Sequence, residues 1–317
     1  MKKIIFFLIR LAITIGVFYI LFRLIPYGEV LAVYRDSSKL HIVFGFLLLL
    51  IAHIVAGMRW RFVLKHMGLK VPRGEVLCML FSGLFFNLFF PSLIAGDAAR
   101  IFFLTRKFRD VKKGTASVLI DRFSGVVGLV CVVTGGFFLG RDLVGEPEIF
   151  LGVVTLVAIG LGVVFLIFHP FFFSILERAS RFRASWHEKV CTFHGEFALV
   201  RRRPSVFLIL SLGYSLIIQS IGVLTCYVLA RGMGAEVGLI YFFILIPITM
   251  LISFIPVTIA GLGTRELVMV YLFSKVGMAQ SVSFSMSLLS FIFLLLIGLL
   301  GGLVYVTLYH RRLEHYS

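Results

Sequence analysis

Long unbroken runs of apolar side chains limit what this sequence can fold into. Six of them approach or exceed the roughly 20 residues that an α-helix needs to cross the hydrocarbon core of a bilayer. These runs cover residues 4–25, 41–58, 115–139, 149–168, 206–230 and 281–309. In lipid, only helices and closed barrels satisfy the backbone polar groups, and barrel strands alternate in polarity. The sequence therefore predicts an all-α polytopic membrane protein in a single transmembrane domain, residues 1–317.

Two further apolar segments are shorter and behave differently. They begin at Val76 and Leu239, and each stops at a proline, Pro91 or Pro256. Glycine and then charge follow each proline, which is the pattern of a helix that breaks inside the membrane. We therefore predict two re-entrant helical hairpins in addition to six full spans, which makes eight hydrophobic segments. The predicted hairpins cover residues 76–104 and 239–275.

The distribution of charge favours this topology. The formal net charge is +16, but the Lys and Arg residues cluster between the apolar runs, where an excess of positive charge marks cytoplasmic loops. If both short segments are hairpins, all the basic clusters share one side with Lys2 and Lys3. We therefore expect both termini to be cytoplasmic and expect membrane lipids, not nucleic acid, as partners.

An internal repeat relates the two short segments. Residues 89–100 align without gaps on residues 254–265, and Phe, Pro, Ile, Ala, Gly and Arg are shared at matched positions. Each half then contains two spans, a hairpin and a third span. Three crossings per half give the halves opposite orientations, so we predict an inverted repeat of about 1–140 and 149–310. In transporters built on this plan, the substrate site lies near the bilayer midplane between the halves.

The segment 176–203 connects to the second half of the repeat and has a mixed character. Apolar and aromatic side chains recur in it at three- and four-residue spacing, and basic residues occupy the remaining face. This predicts a cytoplasmic amphipathic helix. It either binds the anionic lipids of the cytoplasmic leaflet or packs on the protein's own loops.

A small set of polar side chains within the apolar segments provides the candidates for substrate binding. Charge at membrane depth is expensive and points to function. The candidates are Asn87, Asp97, Arg100, Asp121, Arg122, Arg265 and Glu266. Arg100 and Arg265 follow the two breaks, where free backbone N–H groups and a guanidinium together favour the phosphate of an anionic lipid head group.

The acidic candidates have several interpretations. Asp97 and Glu266 either balance the arginines in the absence of substrate or carry a proton whose gain and loss drives transport. Alternatively, Asp97 with Arg122 and Asp121 with Arg100 are internal ion pairs that hold the hairpin in place. Backbone hinges are expected where proline or glycine interrupts the helices. These positions are Pro91, Gly96, Pro256, Gly261 and Gly263.

Catalytic motifs are missing from the sequence. It has no Walker loop, no HExxH and no Ser-His-Asp grouping, so we expect neither an enzyme nor a cofactor. His187, Cys191 and His194 share a helical face, but a surface helix explains them better than a metal site. Two alternatives to a lipid transporter stay open. One is a membrane enzyme that acts on lipid-linked phosphate or sugar, and the other is a structural partner subunit of a membrane complex.

The same residues resemble the lysylphosphatidylglycerol synthase transmembrane family, also called the flippase-like domain family. The matching stretches are Asn87 to Pro91, Gly96-Asp97 with Arg100, Ala116 to Arg122, and Pro256 to Gly263 with Arg265-Glu266. Asp121 departs from the pattern, because Glu is expected there.

The resemblance implies a protein of the cytoplasmic membrane of a bacterium or archaeon. In the best-understood members this domain moves an aminoacylated phospholipid across the inner membrane, and a soluble synthase domain follows. Because this sequence stops at Ser317, soon after the last span, we expect a stand-alone transmembrane domain. The identity of the lipid does not follow from the resemblance, and homo-oligomerisation is left open.

Overall fold

The computed structural model describes residues 2–89, 95–140, 146–168, 204–253, 258 and 262–309. These residues form eleven α-helices and no strand. The helices are α1 (Lys2–Leu24), α2 (Tyr27–Asp36), α3 (Lys39–His66), α4 (Arg73–Phe89), α5 (Ala95–Phe108), α6 (Val111–Gly140), α7 (Pro147–Phe168), α8 (Pro204–Gly232), α9 (Leu239–Ser253), α10 (Thr264–Ser274) and α11 (Gln280–Val304). A π-helical turn, Tyr305–Tyr309, continues α11. The all-α class is confirmed.

Four helices are long and apolar enough to cross a membrane: α3, α6, α8 from Ser211 onward, and α11 with its turn as far as Thr307. α1 and α2 are bent by 77° at the break between them and together would make a fifth crossing. The chain is therefore a multi-pass helical membrane protein. The count of six full spans stays a prediction, and α2 was not anticipated.

Each predicted hairpin region contains two helices that fold back on each other. Lys107, near the end of α5, forms an ion pair with Glu75 at the start of α4. In the second region, the rings of Phe273 near the end of α10 and Phe242 near the start of α9 lie 4.8 Å apart between centroids. Pro91, Pro256 and Gly261, and the whole of the predicted amphipathic helix 176–203, lie outside the described residues.

Glycines on α11 and α6 form the surfaces against which α4 and α9 pack. A Cβ added at Gly298 of α11 would lie 2.8 Å from Leu88 of α4. Likewise, a Cβ at Gly136 of α6 would lie 3.0 Å from the Cβ of Phe243 in α9. α4 therefore packs on α11 while α9 packs on α6, and α3 packs along α8. Helix partners are thus exchanged between the two halves of the chain.

Candidate functional site

Asp121 is the centre of a buried ion-pair cluster that joins three helices. Its residue is only 4% exposed, because α6 is covered at this level by α3 and α5. Oδ1 of Asp121 accepts a hydrogen bond from Nε of Arg59 at 2.9 Å, and Oδ2 accepts one from a terminal nitrogen of Arg100 at 2.8 Å. Arg59 also donates to the hydroxyl of Ser215 in α8 at 3.0 Å. The Asp121 cluster is therefore connected to α8 in the second half of the chain through Arg59.

Arg100 extends this cluster toward a less buried edge. Its guanidinium lies over the ring of Trp60, 3.9 Å from the centroid, and reaches Oδ1 of Asp97 at 3.5 Å. Asp97 in turn accepts a hydrogen bond from Nε of Arg122 at 2.9 Å. Both ion pairs that the sequence suggested are present, Asp97 with Arg122 and Asp121 with Arg100. With Arg59 included, the described side chains of the cluster comprise three guanidinium groups and two carboxylates.

The start of α5 is held against α4 by a side-chain amide and a close backbone approach. Oδ1 of Asn87 accepts a hydrogen bond from the backbone N–H of Gly96 at 2.6 Å, in the first turn of α5, where no backbone carbonyl is available as partner. A Cβ on Gly83 would lie 2.9 Å from the carbonyl oxygen of Gly96. Asn87 thus positions the helix that carries Asp97 and Arg100. Gly96 allows the start of α5 to pack closely against α4.

A second, smaller cluster lies at the start of α10. Glu266 is fully buried. Its carboxylate accepts hydrogen bonds from Arg265 at 2.8 Å, from the hydroxyl of Ser287 at 3.0 Å and from the backbone N–H of Gly263 at 2.7 Å. Gly263 has φ +89°, a backbone conformation that glycine adopts without strain. Among the described side chains, this cluster contains one guanidinium and one carboxylate.

The two clusters approach α11 from opposite ends of that helix. Arg265 contacts α11 at Ser287, and α10 then runs back toward the start of α11. α4 contacts α11 at Gly298 through Leu88, the residue next to Asn87, and runs toward the other end of α11. The contact points on α11 are about 16 Å apart at a rise of 1.5 Å per residue. The helices that flank the two breaks therefore contact the same long helix, α11, at points separated by 11 residues.

Sequence reasoning assigned Arg59 to a cytoplasmic loop and so missed its role. α3 does not end at Met58 but continues to His66, which places Arg59 and Trp60 within the helix and buries both. A signal was present, because Trp60, Val63 and Leu64 continue the apolar spacing of a buried helix face. No comparable sequence pattern identifies Ser215 of α8, which joins this cluster.

The arrangement around Asp97 and Asp121 is unfavourable for a divalent metal ion. Arg100 donates to both carboxylates, so its positive charge occupies the position that a shared ion would need. Among the side chains that the structure describes, no three His, Cys, Asp or Glu residues are placed to hold a metal together. The enzyme alternative therefore has no favourable observation at these two aspartates.

Comparison with known proteins supports the resemblance found in the sequence. The model of the family described as the lysylphosphatidylglycerol synthase TM region matches residues 7–302. The chain belongs to this family. The matched segment includes both ion-pair clusters and every helix from α3 to α10 in full.

Two archaeal relatives align over most of their length. A UPF0104 membrane protein of Methanocaldococcus jannaschii is 19% identical over 302 residues, covering 90% of this chain and 90% of that protein. A UPF0104 membrane protein of Methanothermobacter thermautotrophicus is 25% identical over 326 residues, covering 93% and 92%. The family therefore has archaeal members that resemble this chain along nearly all of its length.

Proposed function

We propose that this protein moves a phosphate-bearing anionic lipid across the cytoplasmic membrane and that it is a transporter without enzymatic activity. The substrate class includes phospholipids, aminoacyl-phospholipids and lipid-linked sugars. The observation that carries the proposal is the approach of two folded-back helix pairs to α11 from opposite ends, each with an arginine at its break. Membership of the lysylphosphatidylglycerol synthase transmembrane family supports a role with lipids.

Helix length supports re-entrant hairpins. α4, α5, α9 and α10 have 17, 14, 15 and 11 residues, and at 1.5 Å per residue none of them reaches the roughly 30 Å of the hydrocarbon core. Because the two helices of each pair fold back on each other, the chain would leave the membrane on the side from which it entered. The exchange of helix partners between the halves, α4 on α11 and α9 on α6, supports the inverted repeat.

The first cluster suits a head-group phosphate. A lipid phosphate carries negative charge and can replace the Asp97 carboxylate as the partner of Arg122 and Arg100. Such an exchange keeps Arg122 and Arg100 paired with an anion, whereas Asp121 stays paired with Arg59. The acyl chains remain in the membrane while the head group passes between the two breaks. Arg265 then binds the phosphate from the other side, with Glu266 as its counter-charge in the absence of lipid.

Reconstitution tests the transport proposal. Proteoliposomes that contain fluorescent phosphatidylglycerol report transport as the fraction of label that external dithionite can reduce. We expect the protein to increase that fraction, and we expect Asp97→Asn and Arg265→Ala to reduce the rate. Arg106→Ala is the matched control, because Arg106 is an exposed arginine on α5 that contacts only the ring of Phe102 in the described contacts. Equal rates for all four proteins would exclude these clusters from transport.

Accessibility labelling tests the orientation independently of transport. The proposed hairpins predict that Lys112, in the first turn of α6, is cytoplasmic and that Glu236, between α8 and α9, is outside. In a variant without native cysteines, Lys112→Cys should react with an impermeant maleimide only after the membrane is opened, whereas Glu236→Cys should react in intact cells. Labelling of Lys112→Cys in intact cells would overturn the hairpin topology.

A further inference from the structure

A groove on the outer surface of the helix bundle lies between α6 and α9. It has a volume of about 520 Å³, within the range of small-molecule sites, about 300–1,000 Å³. Five residues of α6 between Cys131 and Leu139 line one wall, and three residues of α9, Leu239, Ile240 and Phe243, line the other. The lining side chains are apolar apart from the thiol of Cys131. The groove therefore lacks the polar groups that would recognise a head group.

The floor of the groove is open because of one glycine. A Cβ on Gly136 would press on Phe243 of α9, but a Cβ on the adjacent Gly135 would meet no atom within 4 Å. The offset that aligns Pro91 with Pro256 places Gly136 opposite Gly301 and Gly135 opposite Leu300. At the matched position, the second half of the chain thus has the side chain of Leu300, whereas Gly135 in the first half has none.

The surroundings of the groove decide what can occupy it. α6 is apolar and long enough to cross a membrane, and Leu139 at the groove edge is 82% exposed, so this face contacts hydrocarbon. From Cys131 to Leu139 the groove runs about 12 Å along the helix. A packing helix, about 10–12 Å in diameter with its side chains, needs a longer and wider seam. An acyl chain is narrow, flexible and apolar, and it fits a groove of this length.

We propose that this groove binds one acyl chain of a membrane lipid, in the leaflet at the Gly140 end of α6. The binding depends on the chain and not on the head group, because every lining wall is apolar. It also does not depend on transport, since the groove is separate from both arginine clusters. Gly135 is the residue that keeps the site open.

Photocrosslinking in nanodiscs tests this site. The probe is phosphatidylglycerol with a diazirine at the end of one acyl chain, and crosslinked peptides are identified by mass spectrometry. We expect label within 131–139 and 239–243, and we expect Gly135→Leu to reduce it several-fold. Gly16→Leu, on α1, is the matched control because a Cβ there also meets no atom within 4 Å. A phosphatidylethanolamine probe with the same chain should label the groove equally.

Two results would overturn the proposal. One is equal crosslinking of the groove in the wild type and in Gly135→Leu. The other is labelling spread evenly over the lipid-facing surfaces of α3 and α8. Because a larger side chain at Gly135 could alter folding, thermal unfolding of each variant is measured first. Cys131→Phe, which narrows the groove from its exposed edge, provides a second test with the same expected loss.

Discussion

Replacing Asp121 with asparagine removes one charge from the buried cluster and keeps the shape of the side chain. Asp121 and Arg59 have side chains that are only 5% and 9% exposed, and Arg100 is 8% exposed. After the substitution, two buried guanidinium groups face each other without the carboxylate between them. Asp97 is then the one carboxylate left among the described side chains of the cluster. We therefore expect Asp121→Asn to destabilise the fold strongly.

The magnitude follows from the burial of the partners. Removing one member of a buried ion pair typically costs about 3–5 kcal/mol, because the remaining charge is left uncompensated. Asp110 provides the matched control, since its carboxylate is 33% exposed and lies 3.8 Å from Lys113. Asp110→Asn should cost less than about 1 kcal/mol, the usual worth of an exposed pair, because asparagine still accepts the backbone N–H of Lys113.

Unfolding in detergent measures this difference. Trp60 is stacked on Arg100, so in a Trp186→Phe background tryptophan emission reports on the cluster, and circular dichroism reports on the helices. The double variant Arg59→Met with Asp121→Asn removes both members of one buried ion pair, so the net charge of the cluster stays unchanged. Its loss of stability should be smaller than the sum of the two single losses. If Asp121→Asn is no more destabilising than Asp110→Asn, the cluster is hydrated and the reasoning from burial is wrong.

Three further variants test the packing and the second cluster by the same unfolding measurement. Gly301→Ala should destabilise the protein by about 1–3 kcal/mol because the new Cβ meets the backbone of α4. Its control, Gly135→Ala, adds a Cβ in open space and should be neutral or stabilising by up to about 1 kcal/mol. Equal effects of the two substitutions would contradict the contact between α11 and α4. Gly263→Ala should cost about 1–2 kcal/mol because φ is +89°, and no loss would show that this backbone can relax. Glu266→Gln should destabilise more than Asp110→Asn, since it leaves the adjacent arginine without a counter-charge in a buried site; a smaller effect would contradict the burial.

The helices were predictable because only helices and closed barrels satisfy the backbone polar groups in hydrocarbon. All eight apolar segments fall on helices of the structure, and the breaks near Pro91 and Pro256 separate α4 from α5 and α9 from α10. The short helix α2 was missed because its ten residues mix apolar and polar side chains. Its place at a 77° bend depends on contacts with other helices, such as the hydrogen bond from Tyr34 to the carbonyl of Ser285.

The candidate site was predictable in its members but not in its pairing. Asp97, Arg100, Asp121 and Arg122 were identified because charge among apolar residues needs a reason. The partnership of Arg59 with Asp121 joins residues far apart in the sequence. Local pattern gives no register between α3 and α6, so only the packed structure could assign that pair. The carboxylate that balances Arg265 was adjacent in sequence and needed no long-range information.

The two charged clusters differ in composition and in the number of helices that they join. In the first half, arginines of α3, α5 and α6 surround two aspartates, and Ser215 brings α8 into the same network. In the second half, one buried glutamate neutralises Arg265 and also fixes the start of α10 through Gly263. Under the transport proposal, a phosphate would meet three arginines at the first cluster but one at the second, so we expect the two clusters to bind it with unequal affinities.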